Sequence, residues 1–241
     1  MTTQFFGERI KRNEDPRLLT GRALYVDDVH LPGMLHVAFV RSQHAHATIN
    51  SIDAEAARAR PGVVAVYTAE DLGDYWQPGP LLVPPPPIDG IVFNQRTQVP
   101  LARGKVKFVG EPVALVVAES RYAAEDAAAE VFVDCEPLDP VVDLEAALAE
   151  GAPTVHDDLD TNVAAHVVQT RGDYAAARAK ADLVLSRRLL YDHGAAAAME
   201  NRGIVADWNG RTNKLTVWDT TQAPIPIRNG LAAMLGLSES Q

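Results

Sequence analysis

Residues 105–132, KVKFVGEPVALVVAESRYAAEDAAAEVF, constrain the fold more than any other stretch of this 241-residue chain. Two runs of β-formers lie on either side of Gly110-Glu111-Pro112, residue types that suit a tight turn by their backbone chemistry. The second run, Val113 to Val117, is apolar at every position, which predicts a strand buried on both faces. An Ala- and Glu-rich helix is expected over 121–132. Val131-Phe132-Val133-Asp134 then reads as the next strand. Strand, helix, strand makes the fold class α/β, of the mixed α+β kind.

The flanking sequence fits around this unit. Residues 1–19 are polar and charged and read as an extended arm. Residues 33–52 are rich in β-formers. Asp53 is placed to cap a short helix that Pro61-Gly62 ends, and Val63 to Tyr67 is a short strand. Thr68-Ala69-Glu70-Asp71 is a capping-box pattern. The four prolines at 84–87 exclude helix and central strand, and predict a surface polyproline segment. The first domain is expected to end near Asp139-Pro140.

Beyond it, residues 141–170 read as a linker with a short helix over 143–150. Gly172-Asp173 precedes a helix, YAAARAKA. Strands are expected over 182–192, 204–208 and 215–217. The last helix runs from Pro224 to Leu235, with Ile227, Leu231, Met234 and Leu235 on one face and Gly236 as its cap. So few residues would struggle to bury their own apolar faces, which suggests that a partner polypeptide is missing.

Charge and composition exclude several classes. Asp plus Glu outnumber Lys plus Arg by 32 to 22, a net charge of −10 and no electrostatic footprint for nucleic acid. No apolar run reaches the roughly 18 residues of a membrane helix, and the N-terminus lacks a signal h-region, so the cytoplasm is the expected location. The single cysteine, Cys135, cannot alone hold an iron–sulfur cluster and reads as a buried structural thiol. Dinucleotide fingerprint, phosphate loop, His-Glu-x-x-His and Gly-x-Ser-x-Gly are all missing. His44 and His46 would share a strand face, but no third ligand is near, and His156-Asp157-Asp158 reads as loop. Thr220, Thr221 and Gln222 sit where a strand passes into the last helix. Their uncharged side chains suit holding a polar group without changing its charge.

Several phrases in order resemble a known family. They are GERIKRNEDPRLLTGRALYVDDVHLPGMLHVAFVRSQHAHATINSIDAEAARARPGVVAVYTAEDL, LARGKVKFVGEPVALVVAES, CEPLDPVVDLEAALAEGAPTVHDD, GDYAAARAKADLVLSRRL, MENRGIVADW and LTVWDTTQAP. Together they resemble the opening of the molybdenum-binding large subunit of the xanthine dehydrogenase, aldehyde oxidase and aerobic carbon monoxide dehydrogenase family. The resemblance implies an α/β hammerhead domain over 20–138, a linker over 139–171, and the incomplete beginning of the first molybdopterin-binding domain over 172–241.

The same resemblance implies a molybdopterin-type cofactor in its cytosine dinucleotide form, with 2Fe-2S clusters and FAD on partner subunits. Those partners are an iron–sulfur small subunit, an FAD medium subunit, and the remainder of the large subunit as a separate chain. Gln222 matches the family glutamine that hydrogen-bonds an oxygen ligand of molybdenum. Glu200 in MEN matches a family glutamate read as structural, with Arg202 as its expected partner. Asn201 stands where a proline is common, and Pro226 is unusual. Gly110-Glu111-Pro112 matches a family turn. The residues thought to act as general base and to select substrate lie beyond this sequence.

Two readings follow. In one, the chain is a segment of a hydroxylase that inserts a water-derived oxygen into a C–H bond, or oxidises carbon monoxide. It is then active only with the rest of its subunit and its electron-transfer partners. In the other, it is a truncated, non-catalytic paralogue or fragment acting as an interaction module.

Overall fold

The computed structural model describes residues 7–81, 85–87, 90–192 and 194–241. Its strands are β1 (His36–Arg41), β2 (Ala47–Asp53), β3 (Val63–Thr68), β4 (Val92–Phe93), β5 (Lys105–Val106), β6 (Pro112–Ala118), β7 (Phe132–Pro137), β8 (Ala165–His166), β9 (Ile204–Asn209) and β10 (Lys214–Asp219). The helices are α1 (Asp15–Leu19), α2 (Glu55–Ala59), α3 (Arg121–Ala128), α4 (Tyr174–Ala179) and α5 (Pro224–Leu235). Contacts divide the chain into two compact units. One joins the described residues up to Pro32 with Gly194–Ile225 and the last two residues. The other holds Gly33–His193 and Pro226–Glu239.

The larger unit is built on two antiparallel sheets, ordered β1-β6-β3 and β5-β2-β7. Beside them is the small β4–β8 pair. Strand β6 is central, pairing with β1 on one side and β3 on the other. Its Ala114 and Val116 join Val66 of β3, Ala54 and Ala57 at α2, and Ala127 of α3 in one core cluster. The small alanines let both helices approach the sheet closely. A second cluster joins Ala47, Ala102, Val106 and Val113, with Cys135 packed against it. Cys135 packs against this cluster but is half-buried rather than buried as expected, and desolvation first, then the Asp134 charge, raises its pKa.

Local chemistry explains the element boundaries. Ser120 caps α3 by accepting from Ala123 N–H at 3.2 Å. Asp53 Oδ1 accepts from Glu55 N–H at 3.0 Å, and Asp71 Oδ2 accepts from Thr68 N–H at 2.7 Å. The latter bond, followed by one from the Thr68 hydroxyl, lowers the pKa of Asp71. At Gly110 the turn takes φ of 86°, and Glu111 folds inward to accept from Lys107 N–H at 2.6 Å. Gly110-Glu111-Pro112 is thus a working turn whose carboxylate is buried.

Several expectations are corrected. The N-terminal segment is not wholly extended, because Pro16 opens the short helix α1 and Arg12 pairs with Asp15 at 2.7 Å. Helix α3 stops at Ala128 rather than 132, and Val131 turns inward to the core. The helix expected over 143–150 is one 3-10 turn, Ala146–Leu148, ahead of which Asp143 Oδ1 accepts from the N–H groups of Glu145 and Ala146. Residues 182–192 form no strand. A strand needs a ladder partner for its backbone, and none is paired with this segment among the described residues. Of the proline run, Pro84 lies outside the described residues. Pro85 to Pro87 form neither helix nor strand, and Pro86 and Pro87 are exposed.

In the smaller unit, β9 and β10 form a hairpin. Asn209 Oδ1 accepts from Arg211 N–H and Thr212 N–H in its turn, and Asn213 takes a positive φ of 56°.

Candidate functional site

The β10–α5 junction holds the residues singled out as polar binders, and it divides them. Thr220 is committed to the backbone of Gly203. Its hydroxyl accepts from Gly203 N–H at 2.7 Å and donates to Gly203 O at 3.2 Å, and its N–H donates to Gly203 O at 3.1 Å. Thr221 Oγ1 accepts from Ala223 N–H at 3.0 Å, which turns the chain toward α5. Both threonines are therefore fasteners, contrary to the expectation that all three side chains could hold a ligand. Gln222 differs. It sits on the bend before α5, is exposed, and its amide makes no hydrogen bond among the described residues. A primary amide offers two donors and one acceptor, so Gln222 can orient a polar group while leaving its charge unchanged.

Sequence reasoning missed the residues that hold this junction from behind. Gly203 lies so close to Val26 that a Cβ there would meet Val26 Cγ1 at 3.3 Å. Glu200 Oε1 accepts from Val26 N–H at 3.1 Å, in place of the expected Arg202. Arg202 is exposed, and Glu200 lies on a bend. The signal was present as a glycine before a β-rich run, but its neighbour lies 177 positions earlier in the sequence, beyond the reach of local pattern. Val26 and Gly203 clamp the start of β9, Thr220 clamps the end of β10 to the same glycine, and Gln222 follows two residues later.

The histidine patterns do different work. His46 is buried, and its ring Nδ1 lies 3.0 Å from Asp139 O, tying β2's entrance to the segment after β7. His44 donates its N–H to Ser42 Oγ at 3.0 Å, and no group of metal ligands forms among the described residues. Within the larger unit, Lys105 Nζ reaches Asp157 at 2.6 Å and Arg96 pairs with Asp158, while His156 accepts from Leu159 N–H through its backbone carbonyl. Burial first, then the charges of Lys107 and Arg96, holds the His156 imidazole below its ordinary range. The Lys105 hydrogen bond lowers the pKa of Asp157. None of these groups adjoins the Gln222 junction in sequence.

No helix among the described residues is long and apolar enough to cross a membrane. Comparison with known proteins gives the context for this geometry. Residues 20–139 match the family model described as "Aldehyde oxidase and xanthine dehydrogenase, a/b hammerhead domain", and residues 155–241 match "Molybdopterin cofactor-binding domain". The nicotine 6-hydroxylase large subunit of Paenarthrobacter nicotinovorans is 39% identical over 250 aligned positions, covering 100% of this chain and 29% of that protein. The carbon monoxide dehydrogenase large chain of Afipia carboxidovorans is 40% identical, covering 98% and 30%. Among solved structures, quinoline 2-oxidoreductase from Pseudomonas putida 86 superposes with a TM-score of 0.84 at 39% identity, over 96% of this chain and 29% of that one. The chain thus spans about 30% of the length of the relatives it matches. Two family models in tandem, and a shared fold at this identity, show that the chain belongs to the aldehyde oxidase and xanthine dehydrogenase family, as a hammerhead domain followed by part of a molybdopterin-binding domain of its large subunit.

Proposed function

We propose that this chain is a segment of the large subunit of a molybdenum hydroxylase-type oxidoreductase, working with the remainder of that subunit as a separate chain. In this reading Gln222 is the chain's own contact to the molybdenum cofactor. The observation that carries it is the contrast at the junction: Thr220 and Thr221 are spent on the backbone, while the exposed Gln222 amide has no partner among the described residues. An amide held on a bend clamped from behind loses little freedom when it binds a polar group, as a positioned outer-sphere donor should. This one residue fits the cofactor, and the other contacts come from the rest of the subunit. When bound, the molybdenum group supplies the redox chemistry, either oxygen insertion from water into a C–H bond or carbon monoxide oxidation. This chain orients it.

The finer parts of the reading are a cytosine dinucleotide form of the cofactor and a cytoplasmic location. They also include a 2Fe-2S small subunit and an FAD medium subunit that carry electrons away. The domain division is a hammerhead over 20–138 and the molybdopterin-binding part from 172 onward.

The test is the assembled enzyme with Gln222→Ala. We expect kcat/KM to fall about 10- to 100-fold, the usual cost of an outer-sphere partner, with the complex still assembled and bound molybdenum still measurable by elemental analysis. Unchanged turnover would remove Gln222 from the site. A second reading, a non-catalytic interaction module, is favoured by the largely exposed Leu189, Leu190 and Tyr191. Purification from the native source separates the two: recovery with a second large-subunit polypeptide supports the first, and recovery alone and free of molybdenum supports the second.

A further inference from the structure

Strand β6 is apolar at every position from Val113 to Val117, a pattern that belongs between two covers. Val113 is buried in the second core cluster, but beyond it only one cover is present. Ala114 and Val116 are fully buried beneath α2 and α3, while Leu115 and Val117, pointing the other way, stay half-buried. The register extends this second face across the whole sheet. Val37 and Ala65 lie on either side of Val117, and Phe39 and Tyr67 on either side of Leu115. Val37 is 51%, Phe39 46% and Tyr67 40% exposed. An antiparallel sheet with a solvated face carries polar residues at these positions, and here none of the six is charged. Arg41 stands at the end of the patch with its guanidinium 5.3 Å from the Phe39 ring, a cation–π contact.

We propose that this outer face of the β1-β6-β3 sheet docks the polypeptide that completes the large subunit. The proposal rests on the reading that such a polypeptide works with this chain, and adds to it the surface that receives it. Two observations choose this occupant. The chain spans only 29% and 30% of its two relatives' length, so most of a relative's polypeptide lies outside it and has to pack somewhere. The face is depleted of charge, like a core cut in half, which is the character of a permanent rather than a transient contact. A second copy is the weaker candidate, because each copy carries a net charge of −10 and self-association would bring like charges together.

Hydroxyl-radical footprinting tests this on the full chain, alone and co-produced with the completing polypeptide. Labelling of Phe39, Tyr67 and Leu115 is expected to fall severalfold in the complex, while that of the exposed Tyr122 on α3, across the sheet, stays the same. Phe39→Asp combined with Tyr67→Arg changes two exposed side chains. It should leave the circular dichroism spectrum and urea midpoint of the free chain unchanged. It should also weaken recovery of the partner by about 30-fold or more, the effect of losing an interface hot spot of about 2 kcal/mol. A complex that forms with Phe39, Tyr67 and Leu115 still fully labelled overturns the docking surface and leaves the proposed function standing. Failure to recover any completing polypeptide overturns both. Protection that rises with the concentration of the free chain assigns the face to a second copy and overturns the proposal.

Discussion

Two regions of this chain carry apolar side chains at helix and strand spacing, yet only one of them makes a core. Between β2 and β7, Leu101, Val106, Val113 and Val116 are fully buried. From Tyr174 onward, Gly230 and Ala232 are the buried residues among those described, while Leu190 is 80% and Met199 103% exposed. The amphipathic pattern is comparable and the outcome opposite. Periodicity decides which side chains share a face; burial needs a second surface to meet that face. In the first region β6 sits between two strands and under two helices. In the second, β9 and β10 form a two-stranded hairpin, which is marginal by itself.

The largest expected effect breaks this comparison most directly. Val116→Asp puts an unpaired carboxylate where no water reaches, and should cost about 3–5 kcal/mol. Leu190→Asp, the same chemical change on an exposed apolar residue, should stay within about 0.5 kcal/mol. Urea unfolding of the chain followed by circular dichroism measures both. An equal loss for Leu190→Asp would mean that 182–192 is packed in solution and the contrast is false.

Helix caps sharpen the contrast at smaller scale. Ser120 caps α3, which supplies Ala124 and Ala127 to the interior, and Ser120→Ala should cost about 1 kcal/mol of global stability. Asp173 caps α4 with an equally good bond, its Oδ1 accepting from Ala176 N–H at 2.9 Å, but α4 buries nothing. Asp173→Ala should fray α4 and leave the urea midpoint in place. Amide exchange at Ala176 and Ala177, compared with the global transition, separates the two outcomes.

The smallest effect is on pH dependence. His156 has its folded-state pKa lowered by burial and then by Lys107 and Arg96, so the unfolded chain takes up the proton first as pH falls. Its contribution is complete above the ordinary histidine range. It declines as pH drops from there toward the lowered folded value. Urea midpoints between pH 8 and 5 should therefore fall on acidification, and His156→Asn should flatten that slope. A midpoint that rises on acidification would contradict the environment described for His156.

Local pattern made much of the fold legible. Capping by Ser120 and Asp173, the Asp53 bond to Glu55 N–H just before α2, and the turns at Gly62 and Gly110 depend on atoms a few residues apart. Helix α5, Pro224 to Leu235, falls where its spacing and its glycine place it, with Gly236 at φ of 66°, but its buried residues are Gly230 and Ala232 while Leu235 is exposed. The misplaced elements were those whose fate depends on distant chain. Residues 182–192 have strand-like composition and no pairing partner. Val131 leaves the helix because a core cluster takes it in. At the candidate site the identity of Gln222 was readable, but its distinction from Thr220 and Thr221 was not. All three are uncharged hydrogen-bonding residues, and nothing in their order says which hydroxyls the backbone will claim.

By itself the sequence determined the α/β class, the caps and turns, and the run of residues that carries the family resemblance, because each rests on short-range chemistry or on residue identity. Tertiary structure decided the rest. It spent Thr220 on Gly203, set Val26 against Glu200, and covered one face of β6 while leaving Leu115 and Val117 on the other only half-buried. Those outcomes turn on which surfaces meet across long stretches of chain, and a pattern of apolar and polar residues specifies that a face needs a neighbour without naming the neighbour.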